Sequence, residues 1–195
     1  MLYPRESETR EVRDLSGIWA FRADKQGAGF AEEWYAKPLR DAIPMPVPAS
    51  YNDITQDRSL RDHIGDVWYE RTFHVPLAWK GRRVVVRVGS ATHKAILFVN
   101  GRRVAEHRNG YLPFEGEVTD IVGYGQENRV TIAVNNVLDM TTVPPGQVRA
   151  IDNPQHPKGH KIQEYFHDFF NYAGLHRPVR LICTCLLYTS DAADE

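Results

Sequence analysis

The sequence has little cysteine, no excess of charge and no long apolar run. Its two cysteines, Cys183 and Cys185, are one residue apart, which is too close for an ordinary disulfide, and they lack the partners of a zinc site. A formal net charge of −1, from 24 basic and 25 acidic residues, leaves no basic stripe, so we expect no nucleic-acid partner. No apolar run approaches the roughly 20 residues that span a bilayer, so we expect no membrane partner.

The first residues also lack the apolar core of a secretory signal. Residues 1–6 lead directly into charged residues, which predicts a cytoplasmic location. The rest of the composition is ordinary, because 195 residues with 42% hydrophobic and 25% charged side chains suffice for one domain with a proper core.

Most of the chain predicts β-structure. Residues 67–75 and 128–134 alternate between two faces, and residues 83–88 form a β-branched run that is typical of an interior strand. Arg71 falls on the mostly apolar face of its strand, so we expect it to bind a carboxylate or backbone carbonyls. Asn100-Gly101 predicts a type I′ hairpin turn, because both residues tolerate positive φ.

Other segments carry weaker signals. Residues 15–22 predict a strand covered on both faces, and residues 30–34 predict a single helical turn. The prolines of residues 42–51 restrict that segment to an edge. Residues 135–160 read as one irregular loop, in which His156 and His160 lack the helix that would align them on a metal, so we expect no metal site. The fold predicted is an all-β jelly-roll sandwich of roughly eight strands with little helix.

One stretch fits neither a strand nor an amphipathic helix. Between residues 165 and 172, five aromatic rings surround the carboxylate of Asp168, with His167 beside it and Asn171 three residues on. Such a loop suits a sugar site, because rings stack on the C–H faces of a pyranose while carboxylate and amide groups bind its hydroxyls. In the alternative, the rings plug the end of the sandwich and Asp168 binds backbone N–H groups in an Asx-turn.

The chain then turns back into the sandwich. Residues 171–174 predict a turn in which Gly174 is free to take positive φ, and residues 179–183 predict a short apolar strand.

Residues 168–179, Asp-Phe-Phe-Asn-Tyr-Ala-Gly-Leu-His-Arg-Pro-Val, resemble the block that closes the N-terminal domain of bacterial β-glucuronidases, which belong to glycoside hydrolase family 2. The Asn-Gly hairpin and the Gly-Tyr-x-Pro-Phe segment at 110–114 extend the resemblance over about residues 1 to 183. The resemblance implies a sandwich of the galactose-binding type. It also implies that Asp168 reaches into the active site and hydrogen-bonds the sugar, with His167 and Asn171 as further candidate substrate contacts.

The resemblance also implies a larger parent protein. In the family this sandwich precedes an immunoglobulin-like domain and a (β/α)₈ barrel of about 250 residues, which carries both catalytic glutamates. The parent is therefore predicted to be a cofactor-independent, retaining β-glucuronidase that acts on terminal β-D-glucuronides and forms homo-oligomers. The present chain is expected to supply a substrate contact and to be inactive without the barrel. Two alternatives stay open: a β-galactosidase or β-mannosidase of the same family, and a stand-alone carbohydrate-binding module.

The last residues look foreign to the domain. Residues 185–195 resemble the in-frame translation of a sequencing adapter and match no family motif, so we predict a sugar-binding domain at 1–184 and an adapter-derived tail at 185–195. The alternative is a genuine short acidic tail.

Overall fold

The structure, a computed structural model, describes residues 3–156 and 158–185. The predicted tail at 185–195 therefore lies outside the described residues except for Cys185. Within them, helix is confined to α1 (Tyr51–Ile54), α2 (Arg58–Arg61) and a 3₁₀ turn at Leu77–Trp79. None of these is long and apolar enough to cross a membrane.

The same residues form twelve strands, whose bounds follow in chain order. They are β1 (Arg10–Asp14), β2 (Gly17–Ala23), β3 (Ile43–Val47), β4 (Asp66–Val75), β5 (Arg83–Val88), β6 (Lys94–Val99), β7 (Arg102–His107), β8 (Phe114–Glu117), β9 (Gln126–Asn135), β10 (Gly146–Ala150), β11 (Lys161–Tyr165) and β12 (Val179–Thr184).

Ten of these strands make two antiparallel sheets that pack face to face. The larger sheet has the order β3-β2-β4-β9-β6-β7, the smaller has the order β1-β12-β5-β8, and β10 pairs with β11 alone. Apolar side chains of both sheets meet in one core cluster, which includes Phe21 and Tyr69 from the larger sheet and Val86 and Leu181 from the smaller. The predicted all-β sandwich is confirmed. It has more than the roughly eight strands expected, because short polar strands such as β1 and β8 have little hydrophobic pattern.

Several local predictions are confirmed. Asn100 and Gly101 have φ of 50° and 78°, as the type I′ turn between β6 and β7 requires. β5 lies inside its sheet, and the proline-rich β3 lies at an edge. The Nη1 of Arg71 donates to the carbonyls of Leu15, at 2.9 Å, and Ser16, at 2.8 Å, which ties the segment before β2 to β4.

Three predictions are wrong. Residues 135–160 are not one irregular loop, because β10 lies within them and pairs with β11 as a separate hairpin. Residues 30–34 form turns and not a helical turn, since Glu33 takes a left-handed φ of 52° that no α-helix allows. The two faces of β2 are not both largely covered: Phe21 is fully buried on one face, whereas Ile18 on the other is 64% exposed.

Candidate functional site

Residues 166–172, which we call the aromatic loop, run from the end of β11 toward β12 and are held at both ends. At the start, the backbone N–H of Phe166 donates to the carbonyl of Pro145 at 3.1 Å. At the other end, the backbone carbonyl of Asn171 accepts from the side-chain amide of Asn52 at 3.0 Å. The side-chain Oδ1 of Asn171 lies 2.9 Å from Nε2 of His93. Asp168 lies between these two anchors.

The segment after the loop is pinned to the sandwich by backbone hydrogen bonds. The carbonyl of Ala173 accepts from the N–H of Tyr51 at 3.3 Å, and its own N–H donates to Oγ of Ser50 at 2.9 Å. The carbonyl of Gly174 accepts from the N–H of Thr92 at 3.1 Å. The chain therefore leaves the aromatic loop along a fixed path.

Gly174 is required on that path for two reasons. Its φ is +83°, so the positive φ predicted for it is confirmed. A Cβ added there would lie 2.1 Å from Oη of Tyr69, whose side chain is fully buried. The close approach of backbone and tyrosine leaves room for no other residue.

The five aromatic residues that the sequence singles out lie at the surface. Their exposure is between 37% and 50%, and they are Tyr165, Phe166, Phe169, Phe170 and Tyr172. Tyr111, from the loop before β8, meets Phe169 edge-on at 5.3 Å between centroids. Since the rings are exposed, they do not plug the sandwich. That alternative is wrong, and the rings are available to stack on a ligand.

Asp168 and His167 are both exposed. In residues 3–156 and 158–185, the Asp168 carboxylate has no hydrogen-bond or ion-pair partner, so the Asx-turn of the alternative reading is not formed there. A carboxylate placed in this way can accept hydrogen bonds from two sugar hydroxyls.

Asn171 is placed differently from Asp168, because its side chain is partly committed to the protein. Oδ1 is a carbonyl oxygen and only accepts, so the 2.9 Å contact makes Nε2 of His93 the donor. Burial lowers the pKa of His93, while the hydrogen bond to Asn171 opposes that shift, so the ring is neutral at pH 7. The NH₂ group of Asn171 has no partner in the described residues and can donate to a ligand.

A second histidine lies under the rings. Nδ1 of His176 is 2.8 Å from Oγ1 of Thr92, and its ring stacks on Tyr172 at 5.1 Å. Burial, with the charge of Arg177, lowers the pKa of His176 to about 4. Burial also raises the pKa of Tyr111 to about 12. Near neutral pH both of these side chains are therefore uncharged.

A groove with a volume of about 390 Å³ opens beside Phe170 and Asn171. It is bounded by the segment around α2, by His156 and by residues 160–163. Its lining carries the cationic side chains of Arg58, Arg61 and Lys161 against the single carboxylate of Asp62. Burial acts to raise the pKa of the Asp62 carboxyl, but both arginines donate to it at 3.0 Å and together they lower the pKa. The groove next to the aromatic loop is therefore net positive.

The described part of the chain contains no group of three or more His, Cys, Asp or Glu side chains placed to hold a metal ion. The rings of His156 and His160 stack on each other, with centroids 4.8 Å apart.

Sequence reasoning missed His93 and Tyr111 as parts of this site. His93 is 78 positions from Asn171 and has no local pattern that marks it, so only the fold brings the two together. Tyr111 lies in the Gly-Tyr-x-Pro-Phe segment, which the sequence marks as a loop with rings but does not connect to Asp168.

Known proteins resemble this chain in sequence and in fold. Residues 12–185 match the family model described as glycosyl hydrolases family 2, sugar binding domain. The chain is 59% identical over 191 residues to a β-glucuronidase of Paenibacillus borealis, covering 98% of the chain and 32% of that relative. Solved structures of the β-glucuronidases from an uncultured Clostridium and from Ruminococcus gnavus, the latter in complex with D-glucuronic acid, superpose with TM-scores of 0.84 and 0.85.

The Clostridium enzyme is 48% identical to this chain, and the match covers 95% of this chain and 31% of that enzyme. The Ruminococcus gnavus enzyme is 35% identical, and the match covers 94% of this chain and 31% of that enzyme. The chain thus spans about a third of the length of the relatives that it matches.

Proposed function

The chain belongs to the glycosyl hydrolases family 2, whose sugar-binding domain it forms, and we propose that it is the N-terminal sandwich of a retaining β-glucuronidase. The full-length protein hydrolyses terminal β-D-glucuronides. Its barrel supplies the two catalytic carboxylates, and the present chain supplies Asp168 as a hydrogen-bond acceptor for the sugar. No cofactor takes part, and the chain without the barrel hydrolyses nothing.

The observation that carries this proposal is the placement of Asp168. Its carboxylate is exposed and, in the described residues, unpaired, while anchors at Phe166 and Asn171 hold both ends of its loop. An ionised acceptor of this kind contributes about 1.5–3 kcal/mol to a hydrogen bond, which exceeds the contribution of a neutral one. The exposed rings beside it provide stacking surfaces for the same ligand.

The net positive groove favours a glucuronide over a neutral galactoside or mannoside. Three cationic side chains against one carboxylate raise the local concentration of an anionic substrate. This attraction is long-range and weakens as salt is added. The carboxylate of the sugar itself is held by groups of the barrel.

The test is a chimaera in which this domain, at the boundary predicted at residue 184, replaces its counterpart in the Paenibacillus borealis enzyme. The chimaera is assayed with the p-nitrophenyl β-glycosides of glucuronic acid, galactose and mannose, and the unaltered enzyme is the control. We expect hydrolysis of the glucuronide, with retention of configuration in the product. A folded chimaera that prefers the galactoside or the mannoside would move the chain to another activity of the family.

The stand-alone binding module makes a different prediction. It requires the 195-residue chain to bind glucuronic acid by itself, which isothermal titration measures. It also requires that the source DNA carry a stop codon directly after Glu195. On our proposal the reading frame of an independent clone continues into the barrel.

We also propose a cytoplasmic location and a homo-oligomeric full-length protein. Both rest on the resemblance to bacterial members of the family. Cell fractionation tests the location, and light scattering on the full-length protein tests the assembly.

A further inference from the structure

We propose that His93 is a positioning residue for Asp168, acting through its hydrogen bond to Asn171. The inference rests on the proposed function, because it assigns a role toward the substrate contact of that site. His93 itself is buried and is not proposed to touch the ligand. It fixes the end of the loop on which the ligand contact is carried.

His93 is a rigid support. It is 2% exposed, and its backbone N–H donates to the carbonyl of Asn135 at 2.7 Å, at the end of β9. β9 lies inside the larger sheet, between β4 and β6. His93 directly precedes β6 and is bonded to the end of β9, so its side chain moves with the core and not with the surface loop.

The side chain of His93 is used toward the loop. A buried polar ring costs free energy unless it is hydrogen-bonded, so an apolar residue would fill this space at lower cost. The Nε2–H of the ring donates a hydrogen bond to Oδ1 of Asn171, at 2.9 Å. The bond therefore connects the core of the sandwich to the aromatic loop.

The hydrogen bond between His93 and Asn171 limits the movement of Asp168, because it holds one end of the loop that carries Asp168. Between the anchors at Phe166 and Asn171, residues 167–169 have no hydrogen bond in the described part of the chain, and the carbonyl of Phe170 accepts from Oη of Tyr111 at 3.4 Å. Without His93, Asn171 keeps only the bond that its backbone carbonyl accepts from the side-chain amide of Asn52. The neighbouring side-chain anchors are then Tyr111 on the carbonyl of Phe170 and Ser50 on Ala173. A displacement of about 1 Å at a substrate contact is enough to lower a rate by up to about a hundredfold.

The experiment uses the chimaera described above and four variants of it. His93→Leu removes the donor and keeps an apolar side chain of similar size. His93→Gln restores an N–H near the position of Nε2. His74→Leu is the matched control, since His74 is an exposed histidine on β4. The fourth variant is Asp168→Ala, and His93→Leu is also made in the chain that carries Asp168→Ala.

We expect His93→Leu to lower kcat/KM for the glucuronide by about tenfold, His93→Gln to regain most of it, and His74→Leu to change it less than about twofold. In the Asp168→Ala background, His93→Leu should then have little further effect, because the contact that it positions is gone. A merely structural histidine would cause the same fold loss in both backgrounds, and that result overturns the inference.

Other outcomes are equally decisive. If His93→Leu does not fold, His93→Met removes the same donor with a more flexible apolar side chain and must show the same dependence on Asp168. An active wild-type chimaera with independent effects rejects the role of His93 and leaves the proposed function intact. A folded wild-type chimaera that hydrolyses no glucuronide rejects both.

Discussion

Replacing Gly174 by alanine should destabilise the sandwich far more than the same change at an open glycine. The left-handed φ of +83° costs an L-residue about 1–2 kcal/mol. The new Cβ would also lie 2.1 Å from Oη of Tyr69 and 3.0 Å from a ring carbon of Tyr51. Both rings are 0% exposed, so neither can turn away without moving the core.

Overpacking of this kind costs about 1–3 kcal/mol, so the two effects together amount to about 2–5 kcal/mol of unfolding free energy. For a domain of this size, each kcal/mol lowers Tm by about 2–4 °C. Gly174→Ala should therefore lower Tm by about 4–20 °C, which differential scanning calorimetry of the 195-residue chain measures.

Gly81→Ala is the matched control. Gly81 has φ of +82°, and nothing lies within 4 Å of an added Cβ. This control carries the backbone cost without the clash, so its Tm should fall by about 2–8 °C. Equal losses in the two variants would mean that Tyr69 and Tyr51 do not crowd Gly174, and the close approach that directs the chain after the aromatic loop would be refuted.

Three further changes test other parts of the structure. Gly101→Val should lower Tm by several degrees, because a β-branched residue resists the φ of +78° that the turn requires, and an unchanged Tm would contradict a type I′ turn. Arg71→Met should cost about 1–3 kcal/mol in urea unfolding, since two backbone carbonyls lose their donor; a change within error would show that water replaces it. His176 makes stability depend on pH: its folded pKa of about 4 lies below the usual 6.5, so the unfolded chain takes up the proton first and stability falls from about pH 6.5 to 4. His176→Gln should flatten this part of the curve, and parallel curves would exclude the effect.

Local patterns in the sequence were enough to predict most of the sandwich. The type I′ turn follows from two residues whose φ preference is set by sterics, and the strand at 67–75 follows from its alternation. The hairpin of β10 and β11 was missed, because two five-residue strands with few apolar side chains have no clear period. Its pairing depends on contact between segments and not on the sequence of either one.

The site was predictable to a smaller extent. Asp168 and the five rings stand out because an acid amid aromatics is unusual in sequence, and the structure places all six at the surface. The binding role given to Asn171 was inferred without its partner, since His93 lies 78 residues away. Long-range pairs of this kind are set by strand order, which a local pattern does not contain.

The measurement that tests the central claim most directly is kcat/KM for p-nitrophenyl β-D-glucuronide in the chimaera with Asp168→Ala. Asp152→Ala, at another exposed acid in the connection between β10 and β11, is the control. Loss of a charged hydrogen bond worth about 1.5–3 kcal/mol predicts a decrease of about 10- to 150-fold for Asp168→Ala and less than about twofold for the control. An unchanged kcat/KM in a folded Asp168→Ala protein would remove Asp168 from the substrate site and contradict the account.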